Sequence, residues 1–411
     1  MNNNILYISY DGMTDSLGRS QVLPYLCGLA TKGFNITIIS AEKPMAFEQG
    51  RNEVEKIVKA SKIDWQPIIY TKRPPIISTL IDILKIRRLA FKLHKTKQFG
   101  IVHCRSYISA FIGLAMKHKF GCRFVFDMRG FFADERVDGN IWNTKKLIYR
   151  KVYQYFKNKE KIFMTEADAI ISLTNAAKSE ILSWQLQNVD SEKITVIPCC
   201  ADVNHFDFNK INDDTINEWR NKLNISDNQF VLSYLGSVGT WYMLPEMLSF
   251  FSQLLKIQQN AIFLFITRDS EKLIRTEAEK FCIPAEKIVV QPATRNQVPS
   301  LASLSNASLF FIKPVWSKKA SSPTKLAELM ALGIPCLTNS GVGDVDDIIR
   351  QNPIGVLIEG WSKNDYRLAI EKMLKLPLEG KAVARQQACQ QFSLQNGVNA
   401  YEKVYEKLCK C

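Results

Sequence analysis

Residues 317–338 read Ser-Lys-Lys-Ala-Ser-Ser-Pro-Thr-Lys-Leu-Ala-Glu-Leu-Met-Ala-Leu-Gly-Ile-Pro-Cys-Leu-Thr. A small, hydroxyl-rich loop runs into a helix opened by Pro323, Glu328 lies inside that helix, Gly333 ends it, and a short apolar strand follows. Backbone N–H groups at such a helix start can hold a phosphate, while a carboxylate beside them holds a sugar hydroxyl. Ser321, Ser322, Thr324, Lys325 and Glu328 are therefore candidate ligand contacts. Ser322 before Pro323 also makes a good N-cap and N1 pair. A cap and a phosphate seat are compatible, because both use the same free N–H groups.

A second loop, Tyr234-Leu235-Gly236-Ser237-Val238-Gly239-Thr240-Trp241, follows an apolar run. Its glycines and hydroxyls would let a diphosphate approach backbone N–H groups, which makes Gly236 and Ser237 candidates. The neutralising cation is sought among Arg268, Lys318, Lys319 and Lys325. In the first half, Asp11 to Gln21 forms a loop at the end of the first strand. It lacks G-x-G-x-x-G, which argues against a dinucleotide. Gly18 would permit close approach of a ligand, and Arg19 could reach an anion. The run Phe126 to Arg136 packs five charges beside Phe131 and Phe132. Asp127 is the candidate contact for an acceptor hydroxyl and Arg129 its neighbour; a salt-bridged loop without chemistry is the plainer reading. Arg105 and Tyr107 also follow a strand and are candidates for the acceptor side. Asp344-Val345-Asp346 has the spacing of a metal-diphosphate motif but precedes an apolar helix, and reads as a helix start.

Parallel sheets would bring these loops together. Strands are expected at 5–9, 35–40, 66–70, 101–104, 123–127, 169–173 and 194–197, then at 230–235, 261–266, 287–290, 309–312, 335–338 and 355–358. Helical patterns fall between most of them. The alternation predicts helices on both faces of a parallel sheet, twice over. A chain of 411 residues is too long for one ordinary core. The boundaries predicted are a first domain over 1–204, an Asn/Asp-rich linker over 205–228, a second domain over 229–395, and a terminal helix over 396–411.

Hydrophobic content of 46% and charged content of 23% describe an ordinary globular chain. The N-terminus lacks the pattern of a signal peptide, and no run is apolar enough to span a bilayer, so a cytoplasmic protein is expected. The ten cysteines form no C-x-x-C pair and the four histidines have no metal-ligand spacing; they read as thiols in a reducing compartment, with no metal site. The formal charge of +14 is uneven: residues 1–200 carry 30 Lys+Arg against 18 Asp+Glu. A basic first half suits an anionic substrate or surface. Residues 85–97 and 145–161 concentrate the excess among apolar and aromatic side chains, which suits docking on an anionic membrane surface or simply solvated helix faces. No nucleic-acid motif is present, and none of these partners is expected to be a nucleic acid.

The Ser317–Thr338 segment, the run Leu-Gly-Arg-Ser-Gln-Val-Leu-Pro-Tyr-Leu from Leu17 and the Phe126–Arg136 segment together resemble family 4 glycosyltransferases of the GT-B fold. The resemblance covers nearly the whole chain. It implies two Rossmann-like, doubly wound parallel-sheet domains facing a central cleft, with a C-terminal helix returning to the first. It also implies a nucleotide-sugar as donor substrate, no separate cofactor, a glycan or lipid-linked acceptor, and transfer with retention. By the same resemblance Glu328 holds the ribose, and Gly18, Arg19, Gly236, Ser237, Arg268, Ser321, Ser322, Thr324 and Lys325 line the donor site. The backbone near Pro292 and Ala293 would meet the base. Two departures stand out. Ser237 occupies the position of a usual Arg, with no Lys before Lys256, and Ala320 falls where a first glutamate is usual. The rival readings are a non-catalytic two-domain binding protein and a sugar-nucleotide epimerase of the same fold.

Overall fold

The computed structural model describes residues 2–74, 76–351, 355–376 and 380–410. The chain forms two compact units, one of residues 1–198 with 394–411, the other of residues 199–393.

Strands of the first unit are β1 Asn4–Ser9, β2 Asn35–Glu42, β3 Asp64–Ile69, β4 Ile101–Arg105, β5 Arg123–Asp127, β6 Ala169–Ser172 and β7 Ile194–Val196. They pair in parallel in the order β3-β2-β1-β4-β5-β6-β7. Runs such as Ile5-Leu6-Tyr7-Ile8 are buried on both faces, as a parallel sheet covered by helices requires. The helices are α1 Ser16–Gln21, α2 Leu23–Thr31, α3 Pro44–Ala60, α4 Ile77–Lys97, α5 Ser106–Phe120, α6 Phe132–Asp138, α7 Leu147–Glu166 and α8 Asn175–Ser183. Right-handed crossovers put α2 and α3 on one face of this sheet and α4, α5 and α7 on the other. Accordingly α5 packs against both α4 and α7.

The second unit has β8 Val231–Leu235, β9 Ile262–Ile266, β10 Ile288–Gln291, β11 Ala307–Phe310, β12 Cys336–Asn339 and β13 Gly355–Ile358, parallel in the order β10-β9-β8-β11-β12-β13. Its helices are α9 Asp213–Leu223, α10 Leu244–Ile257, α11 Glu271–Glu279, α12 Val298–Ala302, α13 Thr324–Ala331, α14 Val345–Arg350, α15 Lys363–Leu374 and α16 Gly380–Gln391. The strand order reverses beside β1 in one sheet and beside β8 in the other. In open parallel sheets, ligands bind beyond the carboxyl ends of strands at such switch points.

The last helix, α17 Leu394–Lys410, belongs to the first unit and lies on α2. Gly28 makes room for it, since a Cβ there would stand 2.6 Å from Val398. Tyr401 meets Tyr25 edge-on, and Tyr405 meets Phe34 the same way.

Residues 205–228, expected as a linker, are instead part of the second unit. They carry α9, whose Asn212 cap accepts from Asp214 N–H and whose Trp219 is buried. Arg385 of α16 holds the preceding segment, donating to the carbonyls of Val203 and Phe206 and pairing with Asp207 at 2.7 Å. Polar composition marked this segment as solvent-facing without showing these attachments.

Candidate donor site

In the first unit the expected site residues turn out to be held by their own neighbours. Asp127, at the end of β5, is fully buried. One oxygen accepts from the Tyr401 hydroxyl of α17 at 3.1 Å and faces His103 Nε2 at 3.3 Å. Tyr405 meets the other imidazole nitrogen at 2.7 Å. A neutral ring with its proton on Nε2 satisfies both contacts. Burial pushes the Asp127 carboxyl up, but Arg129, His103 and Arg105 outweigh it and hold the group below its usual range. Burial lowers His103, which Asp127 offsets in part. Asp127 therefore anchors α17 to the sheet, and the expected acceptor contact is not available to a solvent-borne hydroxyl.

The neighbouring candidates follow suit. Arg105 is buried and its Nε donates to Asp11 at 3.2 Å across the switch point. Tyr107 is fully buried and its hydroxyl donates to buried Glu160, which also meets Lys157. Arg129 keeps a guanidinium nitrogen 3.8 Å from Asp127. Phe131 is core rather than a platform for a sugar. Arg19 pairs with Glu53 at 2.5 Å and lies over Gly50. Gly18 is needed for packing: a Cβ would stand 2.2 Å from the Gly12 carbonyl oxygen. Gly18, Arg19, Arg105 and Tyr107, expected at the ligand, thus each have a contact within the first unit, with Arg19 still 31% exposed on its surface pair.

Sequence reasoning overlooked Glu42, at the end of β2. This buried carboxylate accepts from Met13 N–H at 2.7 Å, Thr14 N–H at 3.1 Å, and the hydroxyls of Thr14 and Ser40 at 2.5 Å. It fixes the loop after β1. A lone carboxylate closing the apolar run Ile-Ile-Ser-Ala-Glu was the available signal.

The second unit gathers its candidates differently. Gly236, after β8, has φ +111, and a Cβ there would stand 3.3 Å from Lys325 Nζ. Lys325, in the first turn of α13, is only 7% exposed. Its ammonium lies 4.2 Å from the Tyr234 ring centre and 3.7 Å from that of Tyr242, and donates to the Tyr234 hydroxyl at 3.2 Å. Aromatic faces and one phenol hold the cation, and among the described residues no carboxylate forms an ion pair with it. Burial drives Lys325 well below its ordinary range, with Glu328 pulling partly the other way. Glu328, one turn on, has a side chain 14% exposed, with Arg295 Nη1 at 4.0 Å. Burial raises its carboxyl to about 7 against the pull of Arg295 and Lys325.

Part of the loop after β8, expected as an amide cradle, is tied from within. Ser237 donates to Asp269 at 2.8 Å, Val238 N–H donates to the same oxygen at 2.5 Å, and Gly239 N–H donates to Ser237 Oγ. Asp269, also overlooked in the sequence, thus closes the loop from within. Arg268 donates from Nε to the Ala293 carbonyl at 3.2 Å and so fixes the loop after β10. There Thr294 and Gln297 form a capping box. Residues 316–320 form a short 3-10 turn, with buried Lys318 3.7 Å from the Trp241 ring centre and Ala320 in the interior. Ser321 N–H donates to the Lys318 carbonyl. Ser322 is not the N-cap: its Oγ accepts from Cys199 N–H at 3.1 Å, and Pro323 takes the cap position before Thr324. Asp344 precedes α14, the helix start read from the sequence. Among the described residues no three His, Cys, Asp or Glu side chains gather as metal ligands.

Each unit is thus a Rossmann-like parallel sheet, and Lys325 and Glu328 lie in the helix after β11, beside the switch point of the second. The model for Glycosyltransferase Family 4 matches residues 24–205, and that for Glycosyl transferases group 1 matches residues 215–391. The chain belongs to this glycosyltransferase family and has its GT-B fold. It is a glycosyltransferase. Sucrose-phosphate synthase from Thermosynechococcus elongatus is similar in structure, with a TM-score of 0.73 at 13% identity over 99% of each chain. HepE of Anabaena, solved with UDP and glucose, gives 0.68 at 12% identity over 99% of each chain. WaaG, a glycosyltransferase of lipopolysaccharide biosynthesis, gives 0.67 at 15% identity over 95% of this chain and 97% of its own. Likeness at these identities is one of fold. A comparison with curated protein sequences returns no match.

Proposed function

We propose that the second unit binds a nucleoside diphosphate-sugar, with Lys325 as counter-charge to the diphosphate and Glu328 as acceptor for the ribose hydroxyls. The observation that carries this reading is the Lys325 ammonium, buried beneath Gly236 without a paired carboxylate. A desolvated cation is costly unless an anion compensates it, and a diphosphate supplies that anion at a sheet switch point. Lys325 on α13 thereby supplies the charge that is missing at Ser237. The first turn of α13 adds N–H groups that favour the same anion.

The sugar is transferred with retention of configuration. The acceptor oxygen bonds to the anomeric carbon, the bond to the donor phosphate oxygen breaks, and the acceptor proton passes to that departing oxygen. This route needs no protein base, which agrees with Asp127 being sealed in the interior. Lys325 stabilises the charge that develops on the leaving diphosphate, and the reaction runs without a metal ion. The acceptor is a glycan or lipid-linked sugar of cell-surface polysaccharide assembly, handled in the cytoplasm at the inner face of the membrane. The basic first half supports this, as does the fold likeness to HepE, solved with UDP and glucose, and to WaaG of lipopolysaccharide biosynthesis.

A donor screen tests the reading. UDP-, GDP-, CMP- and dTDP-sugars are added singly, and melting temperature, free nucleotide and product are measured with and without acceptor. One donor should raise the melting temperature, and Glu328→Ala should weaken that shift. Donor converted without acceptor would indicate an epimerase. Binding without turnover on any acceptor would indicate a binding protein. No shift with any donor would sink the reading.

A further inference from the structure

Helix α4 is turned the wrong way for a helix that only covers a sheet. Its buried side chains include Ser78 and Asp82, while Ile77, Leu80, Ile81 and Leu84 face solvent. Those four stand at i, i+3, i+4 and i+7, the spacing of one helix face, and three of them are more than half exposed. The rotation is fixed from inside. Buried Asp82 accepts from Thr71 N–H at 2.9 Å, the Thr71 hydroxyl at 2.7 Å and the Tyr10 hydroxyl at 3.1 Å. Satisfying that carboxylate turns the apolar stripe outward.

Helix α7 repeats the pattern. Leu147, Ile148 and Tyr155 are each more than half exposed, among exposed Lys145, Lys146, Arg150 and Lys151. Both helices lie on the same face of the first sheet, flanking α5. Each runs back from the carboxyl end of a strand, so the exposed apolar side chains sit at the ligand-binding edge of that sheet. The charges around them have one sign. Exposed Lys85, Arg87, Arg88 and Lys92 continue α4, whose single carboxylate is buried Asp82. From Leu147 to Ile162 the single carboxylate is buried Glu160.

We propose that this face, α4 with the start of α7, docks on an anionic lipid bilayer and inserts Ile77, Leu80, Leu84, Leu147 and Ile148 into the headgroup boundary. An apolar ridge flanked by cations and free of exposed carboxylates is complementary to lipid that is negative outside and apolar within. A protein partner of ordinary composition would leave most of the cations unmatched. The inference extends the proposed function by placing the acceptor edge of the first sheet at a membrane, and it rests on that reading only for its purpose. Among the described residues no helix is long and apolar enough to cross a membrane, so the contact is a surface one.

The test is co-sedimentation of the full chain with vesicles of phosphatidylcholine alone or mixed with phosphatidylglycerol. Binding should require phosphatidylglycerol and fall as salt rises. The triple variant Ile77→Ser/Leu80→Ser/Leu84→Ser should keep its melting temperature and its nucleotide-induced shift, yet bind about tenfold less or weaker still, through the lost apolar burial. Arg87→Glu/Arg88→Glu should weaken binding only at low salt. No binding to anionic vesicles, or equal binding by the triple variant, overturns the proposal. So does a dimer that the triple variant abolishes, which would make the face a self-association surface. Vesicle binding and the nucleotide shift are separate readouts, so this proposal and the donor assignment fail independently.

Discussion

The two sheets treat the charges at their carboxyl ends in opposite ways. In the first unit the buried carboxylates lie among partners: Asp127 has His103 and Tyr401 on one oxygen and Arg129 at 3.8 Å from the other, Glu42 has the loop it shapes, Glu160 has Tyr107 and Lys157. In the second, Lys325 is enclosed by aromatic rings and Glu328 reaches Arg295 only at 4.0 Å. Both arrangements look functional in a sequence, since both put charges after strands. The difference lies in compensation. A buried charge among partners holds the fold together, and on the proposed reading Lys325, which lacks a carboxylate partner, receives its counter-charge from a ligand.

Removing a charge from the compensated set should hurt most. Asp127→Ala leaves His103, Tyr401 and Arg129 without their carboxylate, and should cost about 3–5 kcal/mol in urea unfolding. If Asp127→Asn instead unfolds like the parent while losing only transfer activity, Asp127 is an acceptor contact after all. Gly18→Ala comes next, at about 1–3 kcal/mol for forcing a methyl against the Gly12 carbonyl. A loss of donor affinity with unchanged stability would return Gly18 to the ligand.

Glu328 should show the uncompensated side through pH. Its carboxyl sits at about 7 folded against an ordinary 4.5, so between these values the folded chain binds more protons than the unfolded one. Its contribution to stability is complete below 4.5 and is lost as pH rises through 7. Glu328→Gln should therefore flatten the fall in melting temperature between pH 5 and pH 8; identical profiles for variant and parent would contradict this. The smallest effect belongs to Arg268→Ala, which removes one exposed hydrogen bond to Ala293 and should stay within about 0.5 kcal/mol of the parent.

The sheets were legible because their strands are apolar runs bounded by turn residues, and an expected strand overlaps every one of β1 to β13. The return of the last helix followed from resemblance. The tie through His103, Tyr401 and Tyr405 did not, because it joins residues some 300 positions apart in sequence. Glu328 and Lys325 stood out because they share a turn of one helix with a phosphate-suited start. Their environment did not, because Tyr234, Tyr242 and Gly236 reach Lys325 only through the fold. The partners of Arg19 and Tyr107 were hidden for the same reason: a polar residue in a loop or helix start looks alike in a sequence whether or not a neighbouring helix already meets it. The outward stripe on α4 was visible only as basic charge, since periodicity does not say which face turns inward when a buried carboxylate sets the rotation.

Lys325→Met tests the central claim most directly, read simultaneously as melting temperature at neutral pH and affinity for the donor found in the screen. The side chain keeps its unbranched form, ends one atom short of the ammonium position and loses its charge. The variant should melt at or above the parent temperature, because a buried cation has been removed. It should bind donor roughly ten- to hundredfold more weakly, the worth of about 1.5–3 kcal/mol for a hydrogen bond to a charged group. A variant that melts lower and binds donor as tightly as the parent would show that Lys325 holds the fold and not the diphosphate.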